Sequence, residues 1–82
     1  MESTRRIVVD AVVEVCGTEE SRLVDTATLQ DLGIDSLDLL EIGMIVEREL
    51  DTIVDAEDFD GVGTVGETVQ VFDRVRASGD HG

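Results

Sequence analysis

The chain has 82 residues, room for one small domain of marginal stability and no second core. It carries two Phe and no Trp or Tyr, so its core must be built from Val, Ile and Leu. Twenty Asp and Glu against six Arg, with no Lys, give a net charge of −14, a surface that repels nucleic-acid phosphates and anionic lipid and favours partners with basic patches. No apolar run approaches the roughly 18 residues of a membrane span, and no basic-then-apolar leader opens the chain, so a cytoplasmic monomer without membrane contact is expected. The charge is unevenly spread: between Leu32 and Asp60 stand Asp35, Asp38, Glu41, Glu47, Glu49, Asp51, Asp55, Glu57, Asp58 and Asp60, against Arg48 alone. Acidity can serve solubility only; concentration in one stretch points instead to docking. Cys16 has no second cysteine to pair with and reads as a small apolar residue at a helix edge.

The first segment, Thr4 to Cys16, is rich in Val, but Arg6, Asp10 and Glu14 recur every four residues opposite Val8, Ala11, Val12 and Val15. That period predicts a helix, with Ser3 as its cap and Gly17 at its end. The connection from Gly17 to Ile34 is long for a compact domain and is pinned by Leu23, Val24, Leu29 and Leu32. Gly33 suits a tight turn before the next helix.

The second helix is predicted from Ser36 to Leu50 and has two apolar faces. Leu39, Ile42, Val46 and Leu50, with Gly43 beside them, form the core face. Leu37, Leu40 and Met44 lie nearly opposite, flanked by Glu41, Glu47 and Arg48. Burial of this stripe under a neighbouring helix would also bury its flanking charges, so a docking surface is the better reading. A short helical turn follows from Asp55 to Phe59, with Asp55 as cap and Phe59 turned inward. Thr64 and Glu67 then form a capping box, and Val65, Val69, Phe72 and Val75 make the inner face of the last helix. The expected architecture is all-α: a small four-helix bundle of three main helices and a short third, with a domain over residues 1–77 and a disordered tail over residues 78–82.

From the residues alone, Ser36 reads as an ordinary serine at a helix head. Its surroundings say more. The string Leu29-Gln30-Asp31-Leu32-Gly33-Ile34-Asp35-Ser36-Leu37-Asp38, continued by Leu39-Leu40-Glu41-Ile42-Gly43-Met44, by Glu47-Arg48-Glu49-Leu50 and by Thr64-Val65, resembles the acyl carrier proteins over nearly the whole chain. The resemblance implies that Ser36 carries 4′-phosphopantetheine through a phosphodiester, with acyl groups held as thioesters on its terminal thiol. It implies that Asp35, Asp38, Glu41 and Glu47 meet basic residues of partner enzymes, and that Leu37, Leu40 and Met44 supply apolar contacts beside them. Arg48 stands where relatives are often acidic. Gly43 replaces a larger residue common in the family, and Ile53-Val54-Asp55 lacks the proline often found there. The implied partners are a phosphopantetheinyl transferase and acyltransferases, ketosynthases or ligases with basic docking patches.

No catalysis by the chain itself is expected beyond slow self-acylation of the arm. A nucleophilic serine needs a base within reach, and His81, the one histidine, falls in the expected tail. The wording around Ser36 favours an acyl over a peptidyl carrier. A chain beginning at Met1 and ending at Gly82 suggests a dissociated system, and the absence of Lys with abundant Val, Asp and Arg hints at GC-rich coding DNA. Polyketide or related secondary metabolism is therefore the expected setting, with an aminoacyl carrier or a fatty-acid-synthesis carrier as alternatives. A rival from another class is an EF-hand-like calcium loop starting at Ala56. Asp58, Asp60, Gly61 and Glu67 match later positions of that motif, but Ala56 offers no side-chain oxygen at the first. No metal is expected.

Overall fold

Ser3 Oγ accepts a hydrogen bond from the Arg6 N–H at 3.1 Å and opens α1 (Thr4–Cys16). Gly17 closes it in the left-handed region at φ +69°, its N–H donating to the Val13 carbonyl at 2.9 Å. The computed structural model describes residues 3–79, and the other helices are α2 (Ser36–Leu50) and α3 (Val65–Gly79). Two short 3-10 turns, Glu20–Arg22 and Ala56–Phe59, lie between them. The second takes the place of the expected short third helix; the first was not anticipated. α3 reaches Gly79, two residues into the expected tail, and residues 80–82, with His81, lie outside the described residues.

α1 packs against both α2 and α3, which is why its buried set (Thr4, Ile7, Val8, Val9, Ala11 and Val12) is wider than one stripe. Ile42 and Val46 of α2, Val65 and Phe72 of α3, and Leu23 and Ile34 of the connection complete the core. Phe59 meets Phe72 edge to face, ring centroids 5.5 Å apart. Leu39, assigned to the core face from its helical position, is only half-buried and borders a groove instead.

The long first connection is strapped down at both ends. Arg6 donates to both carboxylate oxygens of Glu20 at 2.8 Å and also to Asp10, while Arg5 bonds Asp25 and the Leu23 carbonyl. Those bonds from Glu20, then Asp10, hold the Arg6 guanidinium charged beyond its ordinary range, and the same contact keeps the Glu20 carboxyl below its own. At the far end Leu29 N–H reaches the Gly63 carbonyl (2.9 Å), Val65 N–H that of Ala27 (3.0 Å) and Gly66 N–H that of Asp25 (3.0 Å). A Cβ on Gly66 would stand 3.1 Å from the Asp25 carbonyl oxygen, tighter than an ordinary side-chain contact, so this close approach of two backbones favours glycine. The strap carries the chain to Gly33, at φ +74°, and delivers it to the head of α2.

Candidate functional site

The head of α2 is built by two aspartates. Asp35 is the N-cap; its Oδ1 accepts from the Asp38 N–H at 2.9 Å, and Asp38 Oδ2 accepts in return from the Asp35 N–H at 3.3 Å. This reciprocal box satisfies two donors that a helix start otherwise leaves open. Ser36, between them, is the first helical residue rather than the cap. Its side chain is exposed, and among the described residues its Oγ has no hydrogen-bond partner. Ile34, just upstream, is buried and anchors the turn, with its N–H on the Leu29 carbonyl at 2.9 Å. The result is a hydroxyl held on a rigid base near the positive end of a helix, where added negative charge is favoured.

Along the outer face of α2, Leu37, Leu40 and Met44 are 70%, 61% and 53% exposed. Among the described residues no helix covers them. Glu41 and Arg48 are exposed as well, Asp35 is exposed and Asp38 half-buried. Glu47 differs from the rest: it is half-buried, and its Oε2 accepts from the Val54 N–H at 2.6 Å. Ile53, on the loop after α2, is 82% exposed, a large apolar side chain in solvent beyond the docking residues read from the sequence. The available signal is an apolar pair, Ile53-Val54, set between Thr52 and Asp55 in an otherwise polar loop.

Between α2 and the segment Val54–Val62 runs a groove of about 420 Å³. Leu39, Met44, Val54, Phe59 and Val62 give it apolar walls, and Ser36, Glu47 and Asp60 stand among its lining residues. Gly43 is buried; a Cβ there would come within 4.0 Å of the ring tips of Phe59 and Phe72, so the glycine leaves the groove deeper on that side.

Cys16 is half-buried at the end of α1. Burial raises its thiol above the ordinary range, and the charges of Asp38, Asp35 and Glu41 raise it further. Two residues of the calcium-loop rival, Asp58 and Glu67, are engaged in capping. Asp58 Oδ2 accepts from the Asp55 N–H at 3.0 Å, and Glu67 Oε1 accepts from Gly63 and Thr64 at 2.8 and 3.1 Å, completing the α3 capping box with Thr64. Among the described residues no group of three or more His, Cys, Asp and Glu is arranged to hold a metal ion, and no helix is long and apolar enough to cross a membrane.

Residues 6–72 match the family model described as the phosphopantetheine attachment site. The chain is also 35% identical over 78 residues to the protein named acyl carrier protein from Zymomonas mobilis subsp. mobilis, a match covering 94% of this chain and all of that protein. An exposed hydroxyl at a capped helix head, an uncovered apolar stripe with acids beside it and these two matches agree: the chain belongs to the acyl carrier protein family, whose members are carriers of phosphopantetheine-bound cargo rather than enzymes.

Proposed function

We propose that Ser36 is the attachment point of 4′-phosphopantetheine and that the outer face of α2 is where partner enzymes read the chain. The observation that carries this is the uncommitted Ser36 hydroxyl, exposed at the first turn of α2 while Asp35 and Asp38 perform the capping. A phosphodiester fits there. The hydroxyl needs no release from an internal bond, its surroundings are open, and the helix dipole favours the added charge. When bound, the arm supplies a thiol that holds an acyl group as a thioester. The chain's own residues do the rest: α2 holds the attachment point rigid, and Asp35, Asp38 and Glu41 attract basic residues of a transferase or of acyltransferases, ketosynthases and ligases. Leu37, Leu40 and Met44 give the docked partner an apolar footing, with Arg48 placed to prefer partners that carry an acid opposite it. Contacts of this kind are weak and salt-sensitive, as a shuttle that must release each partner requires.

The pathway we propose is polyketide or related secondary-metabolite assembly. Gly43 supports it by deepening the groove at Phe59 and Phe72, which suits cargo bulkier than a straight chain. The test is competitive charging of the loaded carrier by malonyl transferases from polyketide and from fatty-acid systems at equal concentrations. Faster charging by the polyketide enzyme is expected; the reverse order would place the chain in fatty acid synthesis.

A further inference from the structure

Glu47 has two holds on the loop that follows α2. Its carbonyl accepts from the Thr52 N–H at 3.0 Å, and its side-chain Oε2 accepts from the Val54 N–H at 2.6 Å. Residues 52–55 have no regular secondary structure of their own, so these two bonds, with the Asp55 N–H on Asp58 Oδ2 at 3.0 Å, fix the path of the backbone between the end of α2 and the Ala56–Phe59 turn. Val54 is a wall of the groove, and Glu47 lines the same groove. Glu47 also lies beside the uncovered stripe, one turn past Met44 and next to exposed Arg48. One carboxylate therefore belongs to both the docking face and the groove wall.

We propose that Glu47 is a positioning residue that holds the Val54 wall in place and yields it when a basic partner docks, so that docking and access to the groove are coupled. The proposal rests on the reading of α2 as the partner-binding helix. Its physical basis is competition for one acceptor. The backbone N–H of Val54 is a neutral donor, whereas a guanidinium offers a charged, two-pronged donor that engages both carboxylate oxygens and binds more strongly. A partner arginine that takes Glu47 in this way turns the carboxylate away from Val54. The wall then keeps the Thr52 bond, the bonds between Asp55 and Asp58 just beyond it, and the apolar contacts of Val54. By linkage, whatever the partner gains at Glu47 is offset by the lost wall bond, and an occupant that stabilises the closed wall opposes docking to the same degree.

The test is amide hydrogen exchange at Val54, followed by NMR on the unloaded chain, alone and with a phosphopantetheinyl transferase in the absence of coenzyme A. In the chain alone, Glu47→Ala speeds Val54 exchange about tenfold, the size of one lost hydrogen bond, and leaves α1 amides unchanged. Glu47→Gln keeps an acceptor and stays close to wild type. Addition of the transferase speeds Val54 exchange in the wild type and not in Glu47→Gln, whose neutral amide does not draw a guanidinium. Unchanged exchange in Glu47→Ala overturns the positioning role. Unchanged or slower exchange in the wild-type complex overturns the coupling. Failure of the carrier reading is seen separately, as wild type that gains no phosphopantetheine when coenzyme A is supplied, whatever Val54 does.

Discussion

Asp35 and Asp38 each hold the other's backbone N–H, at 2.9 and 3.3 Å respectively, and the Ser36 hydroxyl between them has no hydrogen-bond partner among the described residues. Capping and presentation are thus divided between neighbours. Had the serine been the cap, its hydroxyl would have to leave a hydrogen bond before accepting a phosphate ester. With aspartates as caps it does not, and the same two carboxylates flank the attachment point with the charge that draws a basic enzyme.

The division predicts that the cap, not the serine, carries local stability. Asp35→Ala should lower unfolding free energy by about 1 kcal/mol, read as a lower urea midpoint at unchanged slope. Ser36→Ala should leave the midpoint within about 0.5 kcal/mol of wild type. Equal losses in the two variants would contradict the assignment of the cap.

Two buried or close-packed glycines should respond in opposite directions. At Gly43 a methyl group meets Phe59 and Phe72 at ordinary contact distance, 4.0 Å, and the helix gains propensity, so Gly43→Ala should stabilise by up to about 1 kcal/mol while making the groove shallower. At Gly66 the methyl would press on the Asp25 carbonyl oxygen at 3.1 Å, and Gly66→Ala should destabilise by about 1–3 kcal/mol. Thermal melts of the two proteins check the signs directly.

The two faces of α2 should separate in mutagenesis. Ile42 is 1% exposed and touches the core, so Ile42→Ala should cost about 2–5 kcal/mol, a large share of what so small a domain possesses. Met44→Ala, on the uncovered stripe, should change stability by no more than about 0.5 kcal/mol and slow loading by the transferase. The measurements are denaturant midpoints by circular dichroism and the KM for the carrier. Helical signal lost equally in both would mean that the outer stripe is packed after all.

Cys16 should be a slow thiol. Burial and the charges of Asp38, Asp35 and Glu41 disfavour its thiolate, so alkylation near pH 8 should run slower than for an unstructured cysteine peptide, with the difference abolished by denaturant. The sign for stability follows. The unfolded chain gives up the thiol proton at lower pH than the folded one, so this group's contribution is present at neutral pH and is lost as pH rises past the ordinary thiol range. Alkylation as fast as the peptide's would contradict the shift.

Much of this fold is legible in the amino-acid sequence. The ends of α1 at Thr4 and Cys16 and of α2 at Ser36 and Leu50 follow from helical period and from capping residues that act within one turn. The exposed stripe was legible because two apolar faces on one helix exceed what a bundle this small can cover. What the sequence hides is pairing between distant residues. Nothing local couples Arg6 to Glu20, Leu29 to Gly63 or Glu47 to Val54, and those bonds set the strap and the groove wall. Leu39 was misplaced because helical phase gives a direction and not a neighbour; the space it faces stays open as a groove. Ser36 and Asp35 are adjacent and both cap well, so only the backbone geometry distinguishes the residue that caps from the one presented.

The central claim is that the hydroxyl at position 36 accepts one phosphopantetheine. Intact mass after incubation with coenzyme A and a broad-specificity transferase tests it most directly. Wild type should shift completely by the mass of a single arm, localised by peptide mapping to Ser36, and folded Ser36→Ala should not shift at all. A wild-type chain of unaltered mass, or an arm that still arrives on Ser36→Ala, would contradict the account.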